Sequence, residues 1–375
     1  MPISADAACS PVPRLPWFDE LVDYLKTHED DLWDWFSTRA DRPQQAEAIR
    51  LDLLRTTYRI DRASQGDLYR TADGVASALG LDVRLAIYRG PRERALHDTL
   101  KFVPDEVHLV LHGPLLETLD DGEWQALVGH ELSHYLLWTA WESEILIAHE
   151  ILLAMLNDPR GDEVHLETYR RLQLFTEVFC DRGSYLACGD LETAVSSLVK
   201  MHTGLKKVDA PGYLRQAEEA IVTIKDGVSG LFVTEGCSHP EAFLRVRALQ
   251  LWVAAVSSEN ENDVTGAEQL IRKMIEGPHS LERIDLPAQR QLTAFTRHAI
   301  TEILEPDCIR TELVMSHARL FFPDIGPRVE TTSGKETFEN DAQRRIVQIV
   351  PDGDDTISKY LCSILLDFVT VDRDI

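Results

Sequence analysis

Residues 120–138 carry the pattern that most constrains this chain. Asp120 and Glu123 have the spacing of a capping box, and Trp124, Leu127, Val128, Leu132 and Leu136 follow at helical intervals, so the helix they start belongs in a core. Into it the sequence sets His130, Glu131 and His134, a His-Glu-x-x-His run. Two imidazoles four residues apart project from one helix face and can reach one tetrahedral Zn²⁺, with the glutamate beside the ion's open position. The competing reading is a surface helix with two solvated histidines, and it fits poorly among apolar neighbours. Of three His-Glu dipeptides, at His28, His130 and His149, only the second has another histidine four positions from the first. The fold must bury this helix and bring a further ligand to it.

That ligand does not come from the same helix. An extended His-x-x-Gly-x-x-His ending would need Gly and His at Leu137 and Ala140. Glu177 is the best candidate, on a helix expected over 166–188. Asp181, one turn further along the same face, is placed to hydrogen-bond a ligating histidine. Phe175, Val178 and Phe179 surround both acids, and a buried carboxylate without a metal or cation would be costly. The alternative is an ion pair from Glu177 to Arg171 or Arg182.

The rest of the chain bounds the class. With 375 residues, 44% of them hydrophobic and 27% charged, it has the length of two or three domains. No apolar run approaches the roughly 18–20 residues that span a bilayer. The N-terminal residues have neither a basic nor an apolar signal region, so a cytoplasmic protein is expected. A formal charge of −25 repels phosphate backbones, so no nucleic-acid partner is expected. Six scattered cysteines without a Cys-x-x-Cys pair read as free thiols.

Helical patterns fill residues 17–79, and Gly80 stands at a C-cap. Partial alternation over 82–89 and a run over 107–111, each closed by Gly-Pro, read as strands, with a hairpin or irregular strand between them. Helices follow to about Val256, and the polar run Ser257–Asp263 reads as a linker. The expected architecture is α+β and mostly helical. It comprises an N-terminal helical region (1–67), a catalytic domain with a small sheet over the active-site helix (68–257), and a mainly α C-terminal region (264–375).

These residues carry a resemblance. His130–His134 followed by Glu177 and Asp181 resembles the HtpX-like and CAAX prenyl protease family of gluzincin zinc metallopeptidases. The Val107–Leu116 strand and leucine pair upstream, and Ser238-His239-Pro240 with Arg245, Arg247 and Leu249 downstream, resemble further family motifs, over about residues 68–255. The resemblance implies a zincin-like domain with one Zn²⁺ held by His130, His134 and Glu177, Glu131 as base, and Asp181 behind a ligand. The family's Asn-Ala signature is absent, and Arg94–Asp98 stands in its region.

The function expected is zinc-dependent endopeptidase activity on protein or peptide substrates, by Glu131-assisted attack of a zinc-bound water. An extended peptide is expected to add to an edge at Glu106–His112, presenting Val107, Leu109 and Leu111. His239 is either a helix cap or a group near the metal, catalytic or latching. Arg245 either pairs with Glu177 or Asp181 or is a surface arginine. Two other classes stay open: a metal-dependent hydrolase of a non-protein amide, and a shut zinc-containing interaction protein that works through a partner bound by residues 264–375.

Overall fold

The computed structural model describes residues 10–38, 43–91, 97–103, 105–225, 241–258, 260–276, 284–304, 309–326 and 355–372. The chain divides into two compact units, Met1–Asp162 with Tyr169–Gly277, and Glu163–Thr168 with Pro278–Ile375.

The first unit begins with helices α1 (Pro16–His28), α2 (Asp30–Ser37) and α3 (Pro43–Thr56), a short strand β1 (Tyr58–Arg59) and α4 (Gly66–Ala78). Strands β2 (Arg84–Arg89), β3 (His97–Val103) and β4 (Glu106–His112) complete a four-stranded sheet of order β1-β2-β4-β3. Strand β4 runs parallel to β2, with Ile87 opposite Leu109, and antiparallel to β3, with Leu100 opposite Leu109. Paired on both sides, β4 is an interior strand. This corrects the expectation that Val107, Leu109 and Leu111 form a substrate edge: they are 0%, 3% and 0% exposed, and the edge beside them is β3. The Val-His-Leu-Val-Leu run has the near-continuous apolar character of a strand covered on both faces, whereas β3 carries Thr99 and Lys101.

The two faces of the sheet have different partners. Ala86, Tyr88 and Val110 pack on Leu53 of α3, and Lys101 of β3 reaches Asp52 at 2.9 Å. On the other face, Phe102 meets Tyr135 and Trp138 of helix α6 (Asp121–Thr139), with ring centroids 5.6 and 5.2 Å apart. Strand side chains alternate, so Asp98 and Leu100 share the face of Phe102 and look toward α6.

A short α5 (Leu115–Thr118) precedes α6, which starts with the expected capping box between Asp120 and Glu123. Then come α7 (Glu144–Asn157), α8 (Glu163–Cys188), α9 (Leu191–Thr203), α10 (Ala210–Lys225), α11 (Ala242–Ser257) and α12 (Glu261–Glu276). The first residues of α8 belong to the second unit. Two glycines bring α6 and α8 together. A Cβ on Gly129 would lie 2.4 Å from the Ala187 Cβ and 2.7 Å from the Gly183 carbonyl oxygen, and one on Gly183 would lie 1.7 Å from the Ser133 Oγ. Such backbone-to-backbone approach is open only to glycine.

The expected linker at Ser257–Asp263 is instead the corner between α11 and α12, and α12 belongs to the first unit. Ala267, Ile271 and Ile275 on one face of α12 are buried, Glu268 binds the buried Arg182 at 2.8 Å, and Arg272 binds Glu20. An amphipathic helix with that much apolar surface gains more by packing than by bridging solvent.

In the second unit, α13 (Leu286–Ile303), α14 (Glu312–Phe321) and α15 (Asp355–Val371) enclose a cluster that includes Ile300, Val314, Ala318, Ile364 and Phe368. Thr168 accepts a hydrogen bond from the Leu286 backbone N–H. The polar stretch Glu330–Asp341 lies outside the described residues. Among the described residues no helix is long and apolar enough to cross a membrane.

Replacing Gly129 by Ala must push α6 and α8 apart. Overpacking of this kind costs about 1–3 kcal/mol, and the Gly129→Ala protein is expected to lose about that much in a urea titration. Gly74→Ala, where an added Cβ meets nothing within 4 Å, is the matched control and is expected to leave stability unchanged or raised.

Candidate metal centre and cavity

Helices α6, α8 and α11 and strand β3 each contribute to one cavity of about 450 Å³. From α6 come His130, Glu131 and His134, from α8 Glu177 and Asp181, from α11 Arg245, and from β3 Asp98. The helical repeat puts Glu177, Cys180, Asp181 and Ser184 on one face of α8, turned to α6 across the glycine contact.

The two imidazole Nε2 atoms converge on one carboxylate. His130 Nε2 is 3.4 Å from Glu177 Oε2, and His134 Nε2 is 3.7 Å from Glu177 Oε1. Ligand atoms each about 2.0–2.1 Å from a tetrahedral zinc sit roughly 3.3–3.4 Å apart. The donor set therefore fits such an ion.

The histidine tautomer is set from behind. Asp181 Oδ1 lies 3.1 Å from His130 Nδ1, which donates to it and leaves Nε2 as the nitrogen that faces Glu177. Asp181 is in turn held by Arg245, whose Nε and Nη2 donate at 2.8 and 2.6 Å. Arg245 Nη1 also reaches Glu177 Oε2 at 2.9 Å. One guanidinium thus fixes both acids, the pairing that would make Arg245 more than a surface residue. The alternative pairing of Glu177 with Arg182 is not made: Arg182 turns to Glu268.

The field of this cluster follows from its burial. Although desolvation opposes the imidazolium, hydrogen bonds to Asp181 and Glu177 raise the His130 pKa to about 10. His134 is pushed down to about 4, mainly by desolvation. Asp181 is lowered although burial opposes its charge, because Arg245 and His130 hold the carboxylate. Without a metal, then, a proton on His130 neutralises the acids, in the position a bound cation would take.

Glu131 is 8% exposed, and its Oε1 is 3.9 Å from His130 Nε2. Burial, and next the neighbouring Asp98 carboxyl, push its pKa well up. Asp98 is itself raised by burial.

Two of these neighbours carried no sequence signal. Asp98 is recognisable only once β3 is known to be a strand and its register puts residue 98 on the face of Phe102. Cys180 is a buried thiol whose Sγ lies within 4.8 Å of a ligand nitrogen of each histidine. It lies one turn from Glu177, so the spacing was visible, but a single cysteine among aromatics reads as core. His239 lies outside the described residues.

Removing Asp181 takes away the hydrogen bond that orients His130. Asp181→Ala is expected to weaken zinc binding about 10–100-fold with retained helical content, measured by competition with a chromogenic chelator. Arg245→Ala leaves two buried acids without their cation and is expected to lower stability as well, by about 3 kcal/mol or more in urea.

No protein-family model matches this chain. No solved structure matches it. A curated protein similar to it is the plastoglobule-localized metallopeptidase 48 of the chloroplast of Arabidopsis thaliana, 23% identical over 223 residues, or 55% of this chain. The match spans 62% of that relative's length, and the relative's name describes a metallopeptidase.

Proposed function

We propose that this chain is a zinc-dependent endopeptidase of the HtpX-like gluzincin type, with a zincin-like catalytic unit. The observation that carries the reading is the convergence of His130 and His134 on Glu177, beside Glu131 and in the same cavity. The distant metallopeptidase relative supports it.

His130, His134 and Glu177 would hold the metal, one ion per chain. Bound there, zinc would polarise the scissile carbonyl and bring the pKa of an attacking water to about 7. Glu131, a carboxyl whose pKa burial raises, would serve as the base for the attacking water and then as the proton donor to the leaving nitrogen. Asp181 holds His130 in the ligating tautomer, and Arg245 holds Asp181 and Glu177 in place. The substrate backbone pairs along β3, the strand that borders the cavity and ends the sheet, which also argues against the small-amide alternative. His239 remains a candidate for a group near the open position.

One observation favours a second reading, a centre kept shut by a fourth protein ligand. Cys180 is close enough to both imidazoles for a modest shift to bring its sulfur onto the ion. Co²⁺ substitution separates the two. A thiolate charge-transfer band that disappears in Cys180→Ala indicates the shut centre, and its absence indicates an open one.

The decisive comparison is digestion of a peptide library by wild type and Glu131→Gln at equal zinc content. Glu131→Gln keeps all three ligands and is expected to lose about a hundredfold or more in rate. Full activity in Glu131→Gln, or equal zinc in wild type and a His130→Ala/His134→Ala protein, would overturn the reading.

A further inference from the structure

We propose that Asp98 is a substrate subsite that binds a cationic group, an ammonium or a guanidinium, next to the scissile bond. This rests on the peptidase reading and adds a substrate class to it.

The inference starts from a buried atom. Asp98 Oδ2 is shielded from solvent and has no hydrogen-bond partner among the described residues. A buried carboxylate oxygen left without a donor costs free energy, so a native fold that retains one usually has an external partner for it. Here the atom belongs to a side chain that lines the cavity. The strand register gives the direction: Asp98 shares the face of Phe102, which packs on α6, so its carboxyl turns to the helix that carries Glu131.

The charge of the cavity points to a cation rather than a neutral donor. Asp98, Glu131, Glu177 and Asp181 line it, and Arg245 is the single arginine or lysine among the described lining residues. Arg245 is already engaged by Asp181 and Glu177. The acids of the lining thus outnumber its one guanidinium four to one, and Asp98 Oδ2 is the buried oxygen on the β3 side that no donor reaches among the described residues. Arg245 pairs with the two acids of α8 and not with Asp98, and the chain's charge of −25 adds no attraction for anionic substrates.

Position sets which substrate group can answer it. Asp98 is close enough to Glu131 for their carboxyls to share a hydrogen bond, and Glu131 lies 3.9 Å from a ligand nitrogen. A group bound by Asp98 is therefore no more than about one residue from the carbonyl under attack. Asp98 also lies near the start of the edge strand, where a peptide paired along β3 alternately presents its side chains to α6. Two sources supply the right chemistry: a Lys or Arg side chain beside the scissile bond, or the free α-amine of a substrate cut near its N-terminus.

The test uses zinc-loaded, full-length protein and binding rather than turnover. Lysine hydroxamate, norleucine hydroxamate and the Nα-acetyl form of each anchor on the metal and differ only in their amines. Calorimetry gives their affinities. A charge-assisted contact predicts about tenfold or tighter binding for the amine that reaches Asp98. A gap between the acetylated lysine and acetylated norleucine compounds identifies a side-chain cation, and a gap between norleucine hydroxamate and its acetyl form identifies the α-amine. In Asp98→Asn, with zinc content verified, the gap is expected to shrink to about twofold or less.

Equal affinities across the four compounds in wild type overturn the proposal without recourse to any variant. A gap that survives unchanged in Asp98→Asn also overturns it. If no hydroxamate binds, the metal reading falls and the subsite falls with it. Selective, Asp98-dependent binding in a protein that cleaves no peptide supports the subsite and counts only against the peptidase reading.

Discussion

The close crossing of α6 and α8 is the constraint from which the centre follows. Gly129 immediately precedes His130, and Gly183 follows Asp181 by two residues, so the point of nearest backbone approach is within two turns of every candidate ligand on the two helices. A methyl group at either position would meet backbone or Cβ atoms of the facing helix. Side-chain reach limits what a wider crossing allows: a carboxylate that must lie 3.4 and 3.7 Å from two imidazole nitrogens has little slack. Stability and site geometry are thus set by the same pair of glycines.

Around that crossing the acids outnumber the cations, and burial makes the imbalance matter. Arg245 resolves part of it by serving Glu177 and Asp181 at once. His130 resolves another part by taking a proton when no metal is present, against a desolvation cost that alone would make it neutral. His134 shares the burial but has no such backing from Asp181, and it falls to about 4. Two histidines of one motif therefore respond in opposite senses, and the hydrogen bonds that His130 donates to Asp181 and Glu177 are what separate them. The remaining acids, Asp98 and Glu131, are close enough to share a hydrogen bond, and burial raises both of their pKa values.

The sheet contributes in a different way. Its interior strand β4 is paired on both sides and leaves β3 at the border of the sheet among the described residues, so one strand carries both that border and a carboxyl of the cavity. Helix α12 and the buried Arg182–Glu268 pair extend the same unit past the expected linker. The cluster around Val314, Ile300 and Phe368 gives the second unit its own core.

Local rules were legible in the sequence. The capping box at Asp120, the left-handed Gly80, and the helical spacing of apolar residues along α6 depend on neighbours a few positions away. The His130–His134 pair and the Glu177–Asp181 pair were legible for the same reason, since one helical turn fixes their common faces. What joins them was not, because it depends on pairing between distant segments. Strand order decided that β4 is interior and β3 the edge, and an apolar run reads the same before its neighbours are known. Register put Asp98 beside Glu131, and a polar run before α12 resembled a linker until the helix beyond it found a surface to cover. Spacing along the chain was enough to show which titratable groups share a helix face. Tertiary structure decided which carboxyls they share the cavity with, because burial and pairing, which set the field, are properties of the packed chain.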